Sequence, residues 1–401
     1  MGHPEHFLLV MVAAALAPVL AFAGLRWCRI PVMIFEIALG VLLGPDVLGW
    51  VDSDTVLDTL SELGLAMLIF LAGYELDFGA VGRATMHRAV WSWLIALGAG
   101  IGLAAALSGG DVDRALIVGT ALTSTALGSV LPILRDSGRL TGRFGTVMLA
   151  FGAVGEFGPI VAMALLLSGR QPLTSAVVLA VFAVITVVAV WWASRPRPSW
   201  FSAVVEATLH TSGQFAVRLV MLLLTAMLGL SAALGLDVLL GAFSAGILVR
   251  LILSGAAAET SREVMGKVEA MGFGFLVPLF FIVTGVEFDL DALLEGGTAL
   301  LYVPVYLLLF LVVRGLPVYA LAPRDLPRHD RTALTFFAAT CLPLVVAITT
   351  IGLDEGAIAS DQAAALVGAA MLSVLIYPLV ALRAGRAPAG PGGEREVRTR
   401  R

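Results

Sequence analysis

Runs of about 20 apolar residues recur along this chain, separated by short polar gaps. That is the length a helix needs to cross the hydrocarbon core of a bilayer. Lipid offers a backbone no hydrogen-bonding partner, so such runs must satisfy their own N–H and C=O groups, as helices do. The chain is 59% hydrophobic and 13% charged, with a mean hydropathy of +0.97, whereas a soluble domain carries about 25% charge. Secreted disulfide scaffolds, nucleic-acid binders and ordinary soluble enzymes are therefore excluded. Cys28 and Cys341 lie far apart with no metal-ligand spacing. Lys267 is the single lysine beside 24 arginines, a bias that suggests a GC-rich bacterial genome.

The runs lie near 7–24, 31–45, 60–76, 89–108, 115–134, 144–168 and 174–194, then 214–233, 237–253, 271–287, 299–321, 332–351 and 362–383. The reading is an all-α polytopic membrane protein of 13 helices. The first run ends at Ala21-Phe22-Ala23, but Met1–His6 holds no Lys or Arg to open a signal peptide, so this helix is expected to be retained. Charge placement supports the count. Of the 25 basic residues, 22 follow odd-numbered spans, among them Arg83, Arg135, Arg139, Arg143, Lys267 and Arg383. Arg114 and Arg170 fall on the other side, and Arg314 lies inside a span. By the positive-inside rule the N-terminus is outside and the C-terminus inside the cytoplasmic membrane. The opposite loops are acidic, with Asp46, Asp58, Asp111, Asp289 and Asp354. Residues 384–401, rich in Pro, Gly, Arg and Glu, read as a disordered cytoplasmic tail.

Spans 3 and 10 end alike, in Gly73-Tyr74-Glu75-Leu76-Asp77 and Gly285-Val286-Glu287-Phe288-Asp289. Spans 2 and 9 share small-residue faces, Gly40 to Gly44 and Gly241 to Gly246. On the topology above, span 3 leaves the membrane inside and span 10 outside. Two related units of opposite orientation, here spans 1–6 and 8–13 around a linker, are the pattern of an inverted-repeat secondary transporter.

Charges within a span are costly and mark function by default. Glu156 stands halfway along span 6 in Gly155-Glu156-Phe157-Gly158-Pro159, and Arg314 stands past the middle of span 11. Glu156 is the candidate to hold either a proton or a cation; the bland alternative is a Glu–Arg pair that ties two helices together. Span 5 carries Thr123-Ser124-Thr125. Three successive hydroxyls point in three directions round a helix, which favours an unwound segment offering oxygens to a cation; hydroxyls capping their own helix are the alternative. Span 12 carries Thr340-Cys341-Leu342-Pro343, and its mid-span proline predicts a second broken helix crossing the first. Glu36 is a further intramembrane acid without an assigned role; Glu62 and Glu75 are expected at helix ends, and His210 in a loop. Trp191, Trp192 and Trp200 read as interface anchors. No nucleotide, hydrolase or metal-cluster motif occurs, and no cofactor is expected.

Arg29-Ile30-Pro31 leading to Leu43-Gly44-Pro45 adds to these stretches, as do Phe70-Leu71-Ala72-Gly73-Tyr74-Glu75-Leu76-Asp77, Thr123-Ser124-Thr125-Ala126 and Pro278-Leu279-Phe280-Phe281. Together, over residues 7–383, the sequence resembles the monovalent cation:proton antiporter-2 family with its sodium/proton exchanger domain. The resemblance implies a homodimer, with interface helices near 7–76 and 214–287, core helices near 89–168 and 299–383, and a linker helix at 174–194. It also implies two crossed broken helices at the ion site and elevator-type alternating access. Electrogenic members carry Asp-Asp in the core helix where this chain has Gly155-Glu156, so Glu156 matches the essential acid. Arg314 matches a position that is lysine in some members. One titratable acid beside a lasting positive charge favours an electroneutral exchange of one cation, Na⁺ ahead of K⁺, for one proton. Glu156, Thr123, Ser124 and Thr125 form the expected site, supported by Gly155, Arg314, Thr340 and Pro343. An organic-anion/sodium symporter of related architecture, a cation efflux channel and a non-transporting divergent member remain as alternatives.

Overall fold

The structure, a computed structural model, describes residues 4–24, 31–75, 81–140, 142–166, 172–193, 195, 204, 207–208, 213–254, 258–295 and 299–385. Arg26, Cys28, Arg29, Asp77, Arg170, Trp200, His210 and most of the C-terminal tail lie outside the described residues. Among the described residues every regular element is helical. Among the described residues, ten helices are long and apolar enough to cross a membrane, and two shorter apolar ones accompany them. The chain is a multi-pass membrane protein.

The N-terminal half runs α1 (Pro4–Gly24), α2 (Val32–Leu43), α3 (Thr55–Glu75), α4 (Arg83–Leu107), α5 (Val112–Ala121), α6 (Leu127–Asp136), α7 (Arg143–Leu166) and α8 (Pro172–Ala193). The C-terminal half begins with α9 (Phe215–Ala233), α10 (Val238–Ser254), α11 (Ala258–Met271) and α12 (Val277–Val286). It continues through α13 (Leu290–Glu295), α14 (Ala299–Leu309), α15 (Leu316–Leu321), α16 (Arg328–Ala338), α17 (Pro343–Asp354) and α18 (Ser360–Ala384). α3 and α7 are sheathed by other helices, while Val177, Val184, Val187 and Trp192 of α8 are exposed. Apolar exposure on that scale suits lipid, not water.

Close packing follows the glycines. Gly73 and Gly246 set α3 directly against α10, each lying where an added Cβ would run into the other helix's backbone. Gly40 and Gly285 do the same for α2 and α12: a Cβ on either would approach the Cα of the other to 2.9 Å. Small residues let backbones approach without side chains between them, the usual means of helix association in lipid.

Several boundaries differ from the sequence reading. α3 begins five residues before the expected 60, so Glu62 lies two turns inside it and only Glu75 ends it. The helix expected at 271–287 begins at Ala258, because 258–271 forms an amphipathic segment that the apolar run alone does not reveal. It joins α12 through a π-helical turn, Gly272–Leu276. A second π turn, Phe310–Gly315, joins α14 to α15 and contains Arg314. Pro278 and Pro317 each follow such a turn at the second residue. Proline has no N–H for the carbonyl four residues back, and a wider turn accommodates that gap, as π bulges do at functional positions.

Candidate functional site

The apolar runs expected as spans 5 and 12 are both interrupted. α5 stops at Ala121 and α6 starts at Leu127; α16 stops at Ala338 and α17 starts at Pro343. The last carbonyls of a helix have no partner within it, and in α5 the hydroxyls supply some. Thr123 Oγ1 donates to the Thr120 carbonyl and Ser124 Oγ to the Ala121 carbonyl, both at 2.8 Å. Thr340 Oγ1 likewise donates to Phe336 O at 3.1 Å. Pro343 opens α17, where a missing N–H costs nothing, and it pushes Leu342 out of the helical region, to φ −160°.

The two breaks touch. Ala126 N–H donates to Thr340 O at 2.7 Å, and Thr125 Oγ1 donates to Ala338 O at 2.6 Å. Thr125 N–H donates to Gly155 O at 2.9 Å. That carbonyl is free for it because Pro159, four residues on, carries no N–H. Cys341 N–H donates to Ser373 Oγ of α18 at 3.1 Å.

Glu156 and Arg314 both lie here, at 1% and 0% exposure. They form no ion pair with each other. Arg314 Nε donates to Thr125 Oγ1 at 3.0 Å and its Nη2 to Phe151 O at 2.7 Å. Through Thr125 the guanidinium thus serves the carbonyl end of α16, where positive charge is favoured. The Glu156 carboxyl faces the backbone N–H groups of Leu127 and Gly128, in the first turn of α6, where negative charge is favoured. Its Oε2 has no partner, nor have Arg314 Nη1, Ser129 Oγ or Thr120 Oγ1. Buried polar atoms without partners are uncommon and call for an occupant.

Gly155 lets this arrangement close. A Cβ there would collide with Arg314 Nη2 and Thr125 Oγ1. The guanidinium fills the room that a side chain at position 155 would need. The sequence reading did not include the main-chain partners, Phe151 O, Ala338 O and the Leu127 and Gly128 amides. Of these contacts, the one made by Gly155 O had a sequence signal, in Pro159.

The sodium/hydrogen exchanger transmembrane family matches residues 11–382. The chain belongs to this family. Among the relatives of this chain, YjbQ of Bacillus subtilis strain 168, provisionally named a Na⁺/H⁺ antiporter, is 27% identical over 92% of this chain, which spans 61% of YjbQ's length. The Na⁺/H⁺ antiporter of Enterococcus hirae is 25% identical over 88% of this chain and 91% of its own. The sodium proton antiporter MjNhaP1 of Methanocaldococcus jannaschii shares the fold, with a TM-score of 0.68 at 16% identity over 96% of this chain and 100% of that one.

Proposed function

We propose that this exchanger trades a monovalent cation, Na⁺ ahead of K⁺, for protons at Glu156. The observation that carries the reading is the state of that carboxyl: fully buried, facing main-chain amides, with Oε2 unpartnered and no ion pair to Arg314. An acid tied up in a salt bridge would have to lose its partner to bind a cation; this one does not. Proton and cation occupy Glu156 in turn, and a bare carboxylate is penalised in the membrane, so only a loaded site crosses. Mutual exclusion at one group couples the two fluxes, and one titratable acid beside the fixed charge of Arg314 gives an electroneutral cycle. Hydroxyls of Thr123, Ser124 or Thr125 and water complete the cation's shell, with Gly155, Arg314, Thr340 and Pro343 holding the crossing in shape.

The wider reading has 13 spans in two inverted units about α8. It is supported by the reciprocal packing of α3 on α10 and of α2 on α12, each through a glycine of the repeated Gly-x-Glu-x-Asp stretch. The segments from α1 to α3 and α9 to α12 form the scaffold and homodimer interface. The segments from α4 to α7 and α14 to α18 form the elevator core, with the N-terminus outside and the C-terminus inside the cytoplasmic membrane. Relatives named as Na⁺/H⁺ and cation/H⁺ antiporters support the exchange reaction.

The test is purified protein in liposomes with an internal pH dye, under imposed Na⁺, K⁺ or Li⁺ gradients, against Glu156→Gln. Cation-driven proton movement lost in the variant is expected. Equal signals from both proteins would remove Glu156 from the mechanism, and no signal from folded wild type with any cation would favour the organic-anion symporter.

A further inference from the structure

A second buried carboxyl lines a cavity beside this site. The cavity, of about 860 Å³, lies between α1, α2, α6 and the π turn before α12. Its walls are mainly apolar, with residues such as Met11, Val32 and Phe281. Glu36 of α2 and Ser129 of α6 are among its polar lining residues. Glu36 is 6% exposed and makes no hydrogen bond or ion pair among the described residues. Ser129 Oγ is buried and unpartnered. Gly128 also lines the cavity, and its amide faces Glu156. One residue of backbone therefore separates the cavity from the exchange site. Ser137 and Leu382 also line the cavity, beside the helix ends that carry Arg135 and Arg383.

Burying a carboxyl without a partner is costly. Apolar packing at position 36 would avoid that cost, and a lipid tail filling the cavity would gain nothing from an acid in its wall. A cation gives the acid a partner, the buried Ser129 hydroxyl lines the same cavity, and the cavity leaves the ion room for a partial water shell. We propose that Glu36 is a second cation-binding carboxylate, a positioning residue that takes the transported cation from the face bearing Arg135 and Arg383 and presents it, past Gly128, to Glu156. The proposal rests on the exchange reading, and it assigns Glu36 to one side of the cycle only.

The experiment compares wild type, Glu36→Gln and Glu36→Asp in everted and right-side-out membrane vesicles, titrating Na⁺ on the outward surface of each. Glu36→Gln is expected to raise half-saturating Na⁺ about tenfold at the Arg135 face, the low end of what a charged cleft contributes. It should leave the opposite face and the maximal rate unchanged, and Glu36→Asp should restore most of the loss. A saturation curve that coincides with wild type, or shifts equally at both faces, overturns the proposal. A second measurement is independent of transport: an apolar carbodiimide labels Glu36, followed by mass spectrometry, with and without Na⁺, in wild type and in Glu156→Gln. Na⁺ should protect Glu36 in both proteins, and labelling indifferent to Na⁺ overturns the assignment. If wild type exchanges no cation, the exchange reading fails, while protection by Na⁺ would still establish the Glu36 site.

Discussion

At the scale of single residues, the site is governed by what does not fit. Gly155 has Arg314 and Thr125 where a side chain would be, so Gly155→Ala must displace one of them. Overpacking of that kind costs about 1–3 kcal/mol, and a thermal unfolding assay in detergent should register it. Gly98, also mid-helix, has nothing within 4 Å of an added Cβ; Gly98→Ala is expected to be neutral or slightly stabilising in the same assay, since alanine is the better helix former. Thr125→Val is the complementary probe. It removes the hydroxyl that links Arg314 to Ala338 O and leaves buried groups unsatisfied, at about 1–3 kcal/mol. Glu156 and Arg314 were legible in the sequence as intramembrane charges, but their separation was not. A Glu and an Arg in one membrane invite pairing, but apart from the Thr125 hydroxyl the groups they meet are main-chain carbonyls and amides, which a sequence does not single out.

At the scale of elements, the breaks in the two crossing spans were readable because hydroxyls and proline disturb the helix ladder in known ways. Pro159 works more quietly, since it frees Gly155 O for the Thr125 N–H. Pro159→Ala supplies a competing donor from within α7. The variant is expected to fold normally yet to exchange the Thr125 and Ala126 amide hydrogens faster, as hydrogen-exchange mass spectrometry would show. The start of α11 was hidden for a different reason, because its first turns are amphipathic and the hydropathy argument responds only to continuous apolar runs. At the ends of the crossing elements, Arg143 donates from Nε to Asp325 at 2.8 Å. That guanidinium holds the Asp325 carboxyl below its usual range. A depressed carboxyl stabilises the fold above its unfolded value, and the gain is lost as pH falls through the lower, folded one. Both partners are more than half exposed, where solvent screening leaves such a pair little weight. Asp325→Asn is therefore expected to leave the unfolding temperature unchanged at neutral pH, as a melting series from pH 7 to acid would check.

At the scale of the whole molecule, the long apolar helices and their order were legible in apolar spacing, whereas the close packing of α3 on α10 and of α2 on α12 was not. The glycines that make this packing possible are scattered through the sequence like any others, and only their contacts, Gly246 against Gly73 and Gly40 with Gly285, mark them out. Gly40→Ala and Gly73→Ala are expected to lower the unfolding temperature by similar amounts, since the added Cβ meets a facing carbonyl oxygen at 2.1 and 2.3 Å. One feature of the site sets its tempo. Glu156 and Arg314 lean on the ends of helices, whose dipoles stay in place whichever ion is bound. On the proposed exchange cycle, swapping a proton for a metal ion would ask no side chain to swing and no opposite charges to be pulled apart. With so little local rearrangement to wait for, the pace of turnover would rest with whatever larger movement exposes the site to each face.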